Sequence, residues 1–320
     1  MRFVSLSVLA GVVAIPVTAC DLCSVYSAMQ ARGEIEKGFI VGAAEQFTHY
    51  GTLQEDGHEL PNDPDQHLDS SISQIFVGYN FNGRFGIQVN LPIIHRSFQR
   101  ADDFGGIERG TESGVGDLSL VANFLAYRKA TKRFTFAWTV HGGVKFPSGS
   151  SDRLQEEVDE LTAPPPPPGA PESAIHGHDL ALGSGSVDGI AGTGVFARRG
   201  RLFLSANAQY AIRTRGDFDY RYANDLTWWG GPGVFLGLNE SYTVALQLSV
   251  SGETKGRDTF QGAKADDTGI TSIFLGPQLS VTWGERLSAE LGADLPVSVD
   301  NTALQIVPNY RVRAAVNWRF

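Results

Sequence analysis

The chain predicts an all-β protein, a transmembrane antiparallel up-and-down β-barrel of about twelve strands. Three observations predict it. The last eleven residues alternate: Tyr310, Val312, Ala314, Val316, Trp318 and Phe320 on one side, Arg311, Arg313, Ala315, Asn317 and Arg319 on the other. One side suits lipid and the other water, at the period of a strand. Similar segments recur at about twelve to fifteen residues, longer than globular strands and long enough for a tilted membrane span. Past the N-terminus there is no run of about 20 apolar residues, so a helical span is excluded.

Composition narrows the classes. With 37 Gly, 2 Met and no long heptad pattern in 320 residues, one all-β unit is favoured over two ordinary domains. A net charge of -9 argues against a nucleic-acid partner, which needs a basic surface to displace counterions.

Residues 1–19 read as a secretory signal peptide: Arg2, an apolar run from Phe3 to Val17, then the small residues Thr18 and Ala19 before the cut. Residues 20–36 form a periplasmic N-terminal segment carrying Cys20-Asp21-Leu22-Cys23, and 37–320 the barrel. In an oxidising compartment the two cysteines suit a disulfide or a free dithiol. Val17-Thr18-Ala19-Cys20 also resembles a lipobox, which would acylate Cys20. Haem attachment would need His after Cys23, where Ser24 stands.

The strands follow in order. The first two lie near 38–50 and 70–81, joined by an acidic loop with Glu55, Asp56, Glu59, Asp63, Asp65 and Asp69, suited to the divalent cations that bridge lipopolysaccharide. Asn82-Gly83 predicts a tight turn with positive φ at both central residues. Strand three, near 84–98, sets Phe85, Ile87, Val89, Leu91 and Ile93 against Arg84, Gln88, Asn90 and Arg96. Strand four spans about 115–128, after a polar Gly-rich loop. In strand five Phe134, Phe136, Trp138, Val140, Val144 and Phe146 oppose Thr135, Thr139, His141 and Lys145. The longest loop, near 148–179, contains Pro164 to Pro168, a stiff extended run with no amide hydrogens for a sheet. Strands near 184–198, 201–213, 226–238, 242–255, 270–283 and 287–297 complete the set with the final one. Their short turns face the periplasm and their long loops the exterior.

The inward face has mixed charge: Arg84, Arg96, Asp117, His141, Lys145, Asp188, Arg213, Glu253, Glu290, Asp294, Arg311 and Arg313 are the candidate pore-lining residues. Around twelve strands the bore exceeds what side chains fill, so this face suits either a narrow water path or an internal salt-bridge network. Phe196, Phe203, Trp229, Phe235 and Phe274 fall on the same side, as an apolar cavity lining or as fillers beside glycine.

Three motifs carry a family resemblance: Ser113-Gly114-Val115-Gly116-Asp117-Leu118, Leu91-Pro92-Ile93-Ile94 with Arg96, and Gly183-Ser184-Gly185-Ser186-Val187-Asp188. Across about residues 70–320 the chain resembles the outer-membrane barrels of the transporter-like, phenol-degradation (meta-pathway) family. The resemblance implies passage of hydrophobic or aromatic compounds. Phe320 after the last strand resembles the signal by which the barrel-assembly machinery recognises its clients, and outer-membrane lipid and lipopolysaccharide are the surrounding partners.

An outer-membrane phospholipase is the enzymatic alternative, because His95 and Ser97 share the outward side of strand three. Nucleophilic catalysis also needs a group that orients the histidine, and the neighbouring outward positions supply none. His176-Gly177-His178-Asp179 offers metal-ligating side chains in a loop, but two histidines there are weak grounds and no metal site is assigned. The expectation is therefore a non-enzymatic passive pore for a small solute, hydrophobic or aromatic ones included, with no cofactor, in the cell outer membrane. Its rival is a non-conducting structural or surface-interaction barrel.

Overall fold

The computed structural model describes residues 37–102, 105–160, 167–239, 241–284 and 286–320. The expected signal peptide and the segment with Cys20 and Cys23 lie outside them. Twelve antiparallel strands close into a barrel. They are β1 Gly38–Glu55, β2 His67–Asn80, β3 Phe85–Ala101, β4 in two pieces (Ile107–Val115 and Leu118–Ala130), β5 Phe134–Phe146 and β6 Asp188–Arg199. After them come β7 Leu202–Ile212, β8 Asp225–Leu238, β9 Tyr242–Lys255, β10 Ile270–Trp283, β11 Leu287–Asn301 and β12 Leu304–Arg319.

The seam joins β1 to β12, in register from Ile40 opposite Arg319 to Glu55 opposite Leu304. Register shifts on either side of Tyr50 mark a bulge, and the Gly51 amide there donates to the Asn309 Oδ1 at 2.6 Å. Such a bulge bends the strand without orphaning a donor. No helix is long and apolar enough to cross a membrane, which says nothing of strands.

The outer wall bears out the alternation. Tyr310, Val312, Val316 and Trp318 are exposed, whereas Arg311 between the first two is buried. Ile75, Val77, Val89, Leu120, Leu246, Leu248, Leu279 and Leu291 continue the exposed apolar band. A soluble monomer seldom exposes so continuous a patch, and lipid is the solvent that suits it. Aromatic rings edge the band at the short-turn end, with Phe39 and Tyr79 at 4.7 Å between centroids and Phe81 stacked on Phe85 at 5.6 Å.

Several local expectations change. Asn82 and Gly83 do not take positive φ. The Asn82 Oδ1 instead accepts the amides of Arg84 (2.8 Å) and Phe85 (2.9 Å), and the Phe81 amide closes onto the Phe85 carbonyl. A side-chain acceptor thus does the work that a two-residue turn would do with backbone alone. Asn239 repeats the device with Ser241 and Tyr242.

Arg84 belongs to that turn and is exposed, so it does not stand on the inward face of a strand. Residues 107–115, expected as a Gly-rich loop, form the upper piece of β4, paired with Ile93–Ala101. The sixth strand starts at Asp188 and not near 184, because Ser184 and Ser186 turn inward before it.

A depth test follows from the wall. Leu246 lies roughly 10 Å from the Tyr242 end of its strand, by strand rise and tilt. Leu246→Arg is expected to destabilise the lipid-embedded barrel by about 2–4 kcal/mol in urea unfolding. Thr111→Arg, outward on the upper piece of β4, should change it by less than about 0.5 kcal/mol.

Candidate functional site

The loop between β5 and β6 folds back into the barrel instead of standing above it. Its Ile175 and Leu180 are fully buried with Tyr50, Leu53, Leu68, Phe98 and Ile306 of the wall. Burying such side chains stabilises by about 1.5–3 kcal/mol each. Polar contacts add to this: the Ile306 amide donates to the Ala174 carbonyl at 3.2 Å, and the Tyr222 hydroxyl to the His178 carbonyl at 3.0 Å.

The three motifs singled out in the sequence meet where this loop leaves the barrel. β4 breaks at Gly116-Asp117, with the Gly116 amide held by the Pro92 carbonyl at 2.8 Å. Asp117 then points inward and accepts from the Ser184 amide and hydroxyl, both at 2.9 Å, and from the Gly149 amide at 3.1 Å. The two ends of the loop cross at Gly149 and Gly183, where a Cβ on Gly183 would stand 2.5 Å from the Gly149 carbonyl oxygen. Only glycine permits that crossing.

Beneath it lies a buried ion cluster. Lys145 Nζ sits 2.6 Å from Asp117 and 2.8 Å from Asp188. Arg213 bridges Asp188 at 2.9 Å and Asp225 at 2.6 Å. Two cations thus serve three carboxylates. A second group occupies the opposite wall: Arg311 lies 4.0 Å over the Phe274 ring and 3.5 Å from Glu253, whose other oxygen accepts from Ser272 at 2.8 Å. Arg313 pairs with Asp294 at 2.7 Å. Glu290 accepts from Gln278 at 3.2 Å. His141 is buried against Gly192, where a Cβ would come within 2.2 Å of its Nε2.

Apart from Arg84, every candidate pore-lining residue therefore faces inward, but most are drawn into pairs along the wall. Asp225, one residue outside the expected strand, and Ser184, inside a presumed strand, were missed. The period of two in Asp225, Thr227 and Trp229 carried the first signal; nothing local carried the second. Of the inward aromatics, Phe196, Phe203 and Phe235 form a ring chain at 5.7 and 4.9 Å.

Two of the cavities among the described residues lie in the lumen. The upper, about 100 Å³, is lined by Tyr50, Leu68, Arg96, Ala181, Tyr222 and Ile306 among others. The lower, about 20 Å³, lies among Gln46, Trp229, Arg311 and Arg313. Glu253 borders both.

The loop histidines are held by acids. His178 Nδ1 lies 2.9 Å from Glu157, and its ring stacks with His176 at 5.7 Å. His176 stands 3.4 Å from Glu160 and 3.5 Å from Asp267. Burial opposes charge on both rings, yet the surrounding carboxylates outweigh it, raising His178 to about 10 and His176 to about 9. Burial likewise opposes the charge on Glu157, and His178 overrides it, lowering Glu157 to about 2.

On the outer wall, His95 Nδ1 pairs with Ser113 Oγ at 2.7 Å and not with Ser97. Among the described residues no carboxylate or amide bonds its other nitrogen. Glu45 also faces outward, with Ser71 donating to it at 2.5 Å and Ser73 bonded to its second oxygen.

Neither a family profile nor a curated protein sequence matches the chain. Among solved structures, an outer-membrane channel from Pseudomonas putida F1 is similar over 91% of this chain and 99% of that one, with a TM-score of 0.63 at 16% identity. The fold is that of the outer-membrane β-barrels. A FadL homologue from Pseudomonas aeruginosa (TM-score 0.37, 11% identity, 88% and 89% covered) and the CymD monoaromatic hydrocarbon channel (0.37, 7%, 89% and 89%) are more distant barrels.

Two outcomes follow. A raised histidine pKa contributes stability that is complete below about pH 6.5 and is lost as pH rises through 9 to 10, whereas the lowered Glu157 contributes above about pH 4.5 and loses it as pH falls toward 2. Limited proteolysis of the loop should therefore be slowest near pH 5–7 and accelerate above pH 9. Separately, Arg213→Met leaves Asp188 and Asp225 without that cation and should cost about 3–5 kcal/mol in urea unfolding.

Proposed function

We propose that the chain is a passive pore of the bacterial outer membrane for small solutes, hydrophobic or aromatic ones included. The observation that carries this reading is the division of the interior. Wall charges neutralise one another and leave two adjoining cavities, while the mouth is occluded by a loop and not by a continuous core. A loop docked through a few side chains can move without disturbing the strands. The likeness to the Pseudomonas putida F1 channel supports the architecture, and the convergence of the three motifs at the loop exit accords with the transporter-like, phenol-degradation (meta-pathway) family. In this reading lipid and lipopolysaccharide surround the wall, and Phe320, exposed beside Phe39 at the seam, is presented to the assembly machinery.

The second reading, a non-conducting barrel, draws on how completely Ile175 and Leu180 are buried. Planar-bilayer recording separates the two. Steady single-channel steps are expected, larger in a variant with residues 152–181 replaced by a short Gly-Ser linker. A bilayer that stays sealed at all voltages with both proteins would leave the structural reading. Arg311→Glu with Arg313→Glu should turn the reversal potential toward cation preference; an unchanged potential would remove these arginines from the path.

A further inference from the structure

Among the charges bordering the upper cavity, Arg96 stands apart. Lys255 lies 2.6 Å from Asp258, and His178 2.9 Å from Glu157. Glu253 has Ser272 and Arg311. Asp179 accepts the His176 amide at 3.0 Å. Arg96 has no carboxylate partner among the described residues, although it is only 5% exposed. Its cross-strand neighbour Glu112 is turned away to Arg153, at 2.8 Å from Nε.

The geometry of the guanidinium is directional. Nη1 donates to the carbonyls of Asp179 and Ala181, which aims the group. Among the described residues the buried Nε has no partner, and the bonds that hold the group run from Nη1 alone. The edge formed by Nε and Nη2 takes a carboxylate side-on through two parallel hydrogen bonds. A buried guanidinium left without an anion is costly, and a bound anion removes that cost. The same cavity is lined by the apolar groups of Tyr50, Leu68 and Ile306. A space of about 100 Å³ admits a short chain or a single ring, not a large solute.

We propose that this cavity binds a small monocarboxylate, its carboxylate on the Nε–Nη2 edge of Arg96 and its short aliphatic or single-ring body against Tyr50, Leu68 and Ile306. This rests on the pore reading for the solute's route and names the solute class within it. The loop carbonyls that orient Arg96 make the site a property of the docked state.

Calorimetry on the full-length protein in detergent tests it, with benzoate and butyrate set against benzamide and butyramide. Each acid should bind about tenfold or more tightly than its amide, since a charge-assisted pair is lost with the charge. Arg96→Gln should abolish the preference and Arg96→Lys retain part of it. The comparison in the unaltered protein stands even if a variant undocks the loop. Equal binding of acid and amide overturns the proposal, as does an Arg96→Gln variant that binds like the parent. Chloride or phosphate binding as tightly as benzoate overturns the apolar half of it. A protein that binds the acids yet never conducts would instead count against the pore.

Discussion

A chain crossing hydrocarbon must satisfy every backbone amide and carbonyl from within, and in this fold the seam between β1 and β12 is where that requirement is met. Without the pairing of Ile40 with Arg319 and its successors, two long strand edges would face lipid, at several kcal/mol for each unpaired group. Closure then sets the rest. Twelve strands define a bore too wide for wall side chains to fill, so polar side chains are held inside and apolar ones outside.

The interior answers the burial of charge by pairing. Lys145 and Arg213 hold Asp117, Asp188 and Asp225 on one wall, and Arg311 and Arg313 are matched to Glu253 and Asp294 on the other. Lys145 and Arg213 pair with neighbouring strands, whereas Arg311 reaches past β10 and β11 to Glu253 of β9. The loop from β5 to β6 uses the same chemistry, since Asp117 both neutralises Lys145 and receives the amide of Ser184 where that loop ends. Position of the loop and charge of the wall are therefore one network, and Arg96 is tied to the loop through the carbonyls of Asp179 and Ala181.

Inside the lipid band the strands were legible almost residue by residue. Tyr310 to Phe320 and Phe134 to Phe146 read correctly because hydrocarbon on one side and water on the other force a period of two. Above the band both faces meet water and that signal vanishes, which is why Ile107–Val115 and the upper part of β12 were not anticipated. Arg84 has the right parity but sits one residue before pairing begins, where an Asn82 side chain organises the turn. The candidate site divides likewise. Parity identified the inward charges, whereas their partners depend on which strands are neighbours and on where the long loop comes to rest.

The sequence by itself determined a lipid-facing barrel of about twelve strands, its short-turn and long-loop ends, and most of the charged residues facing its bore. Local alternation suffices for these because each strand senses its two solvents independently of the others. Only the tertiary structure decided that the loop enters the mouth, that Gly149 and Gly183 cross, and that Glu112 leaves Arg96 for Arg153. Those outcomes join residues tens of positions apart, and no period along the chain records which of two nearby cations an acid will choose.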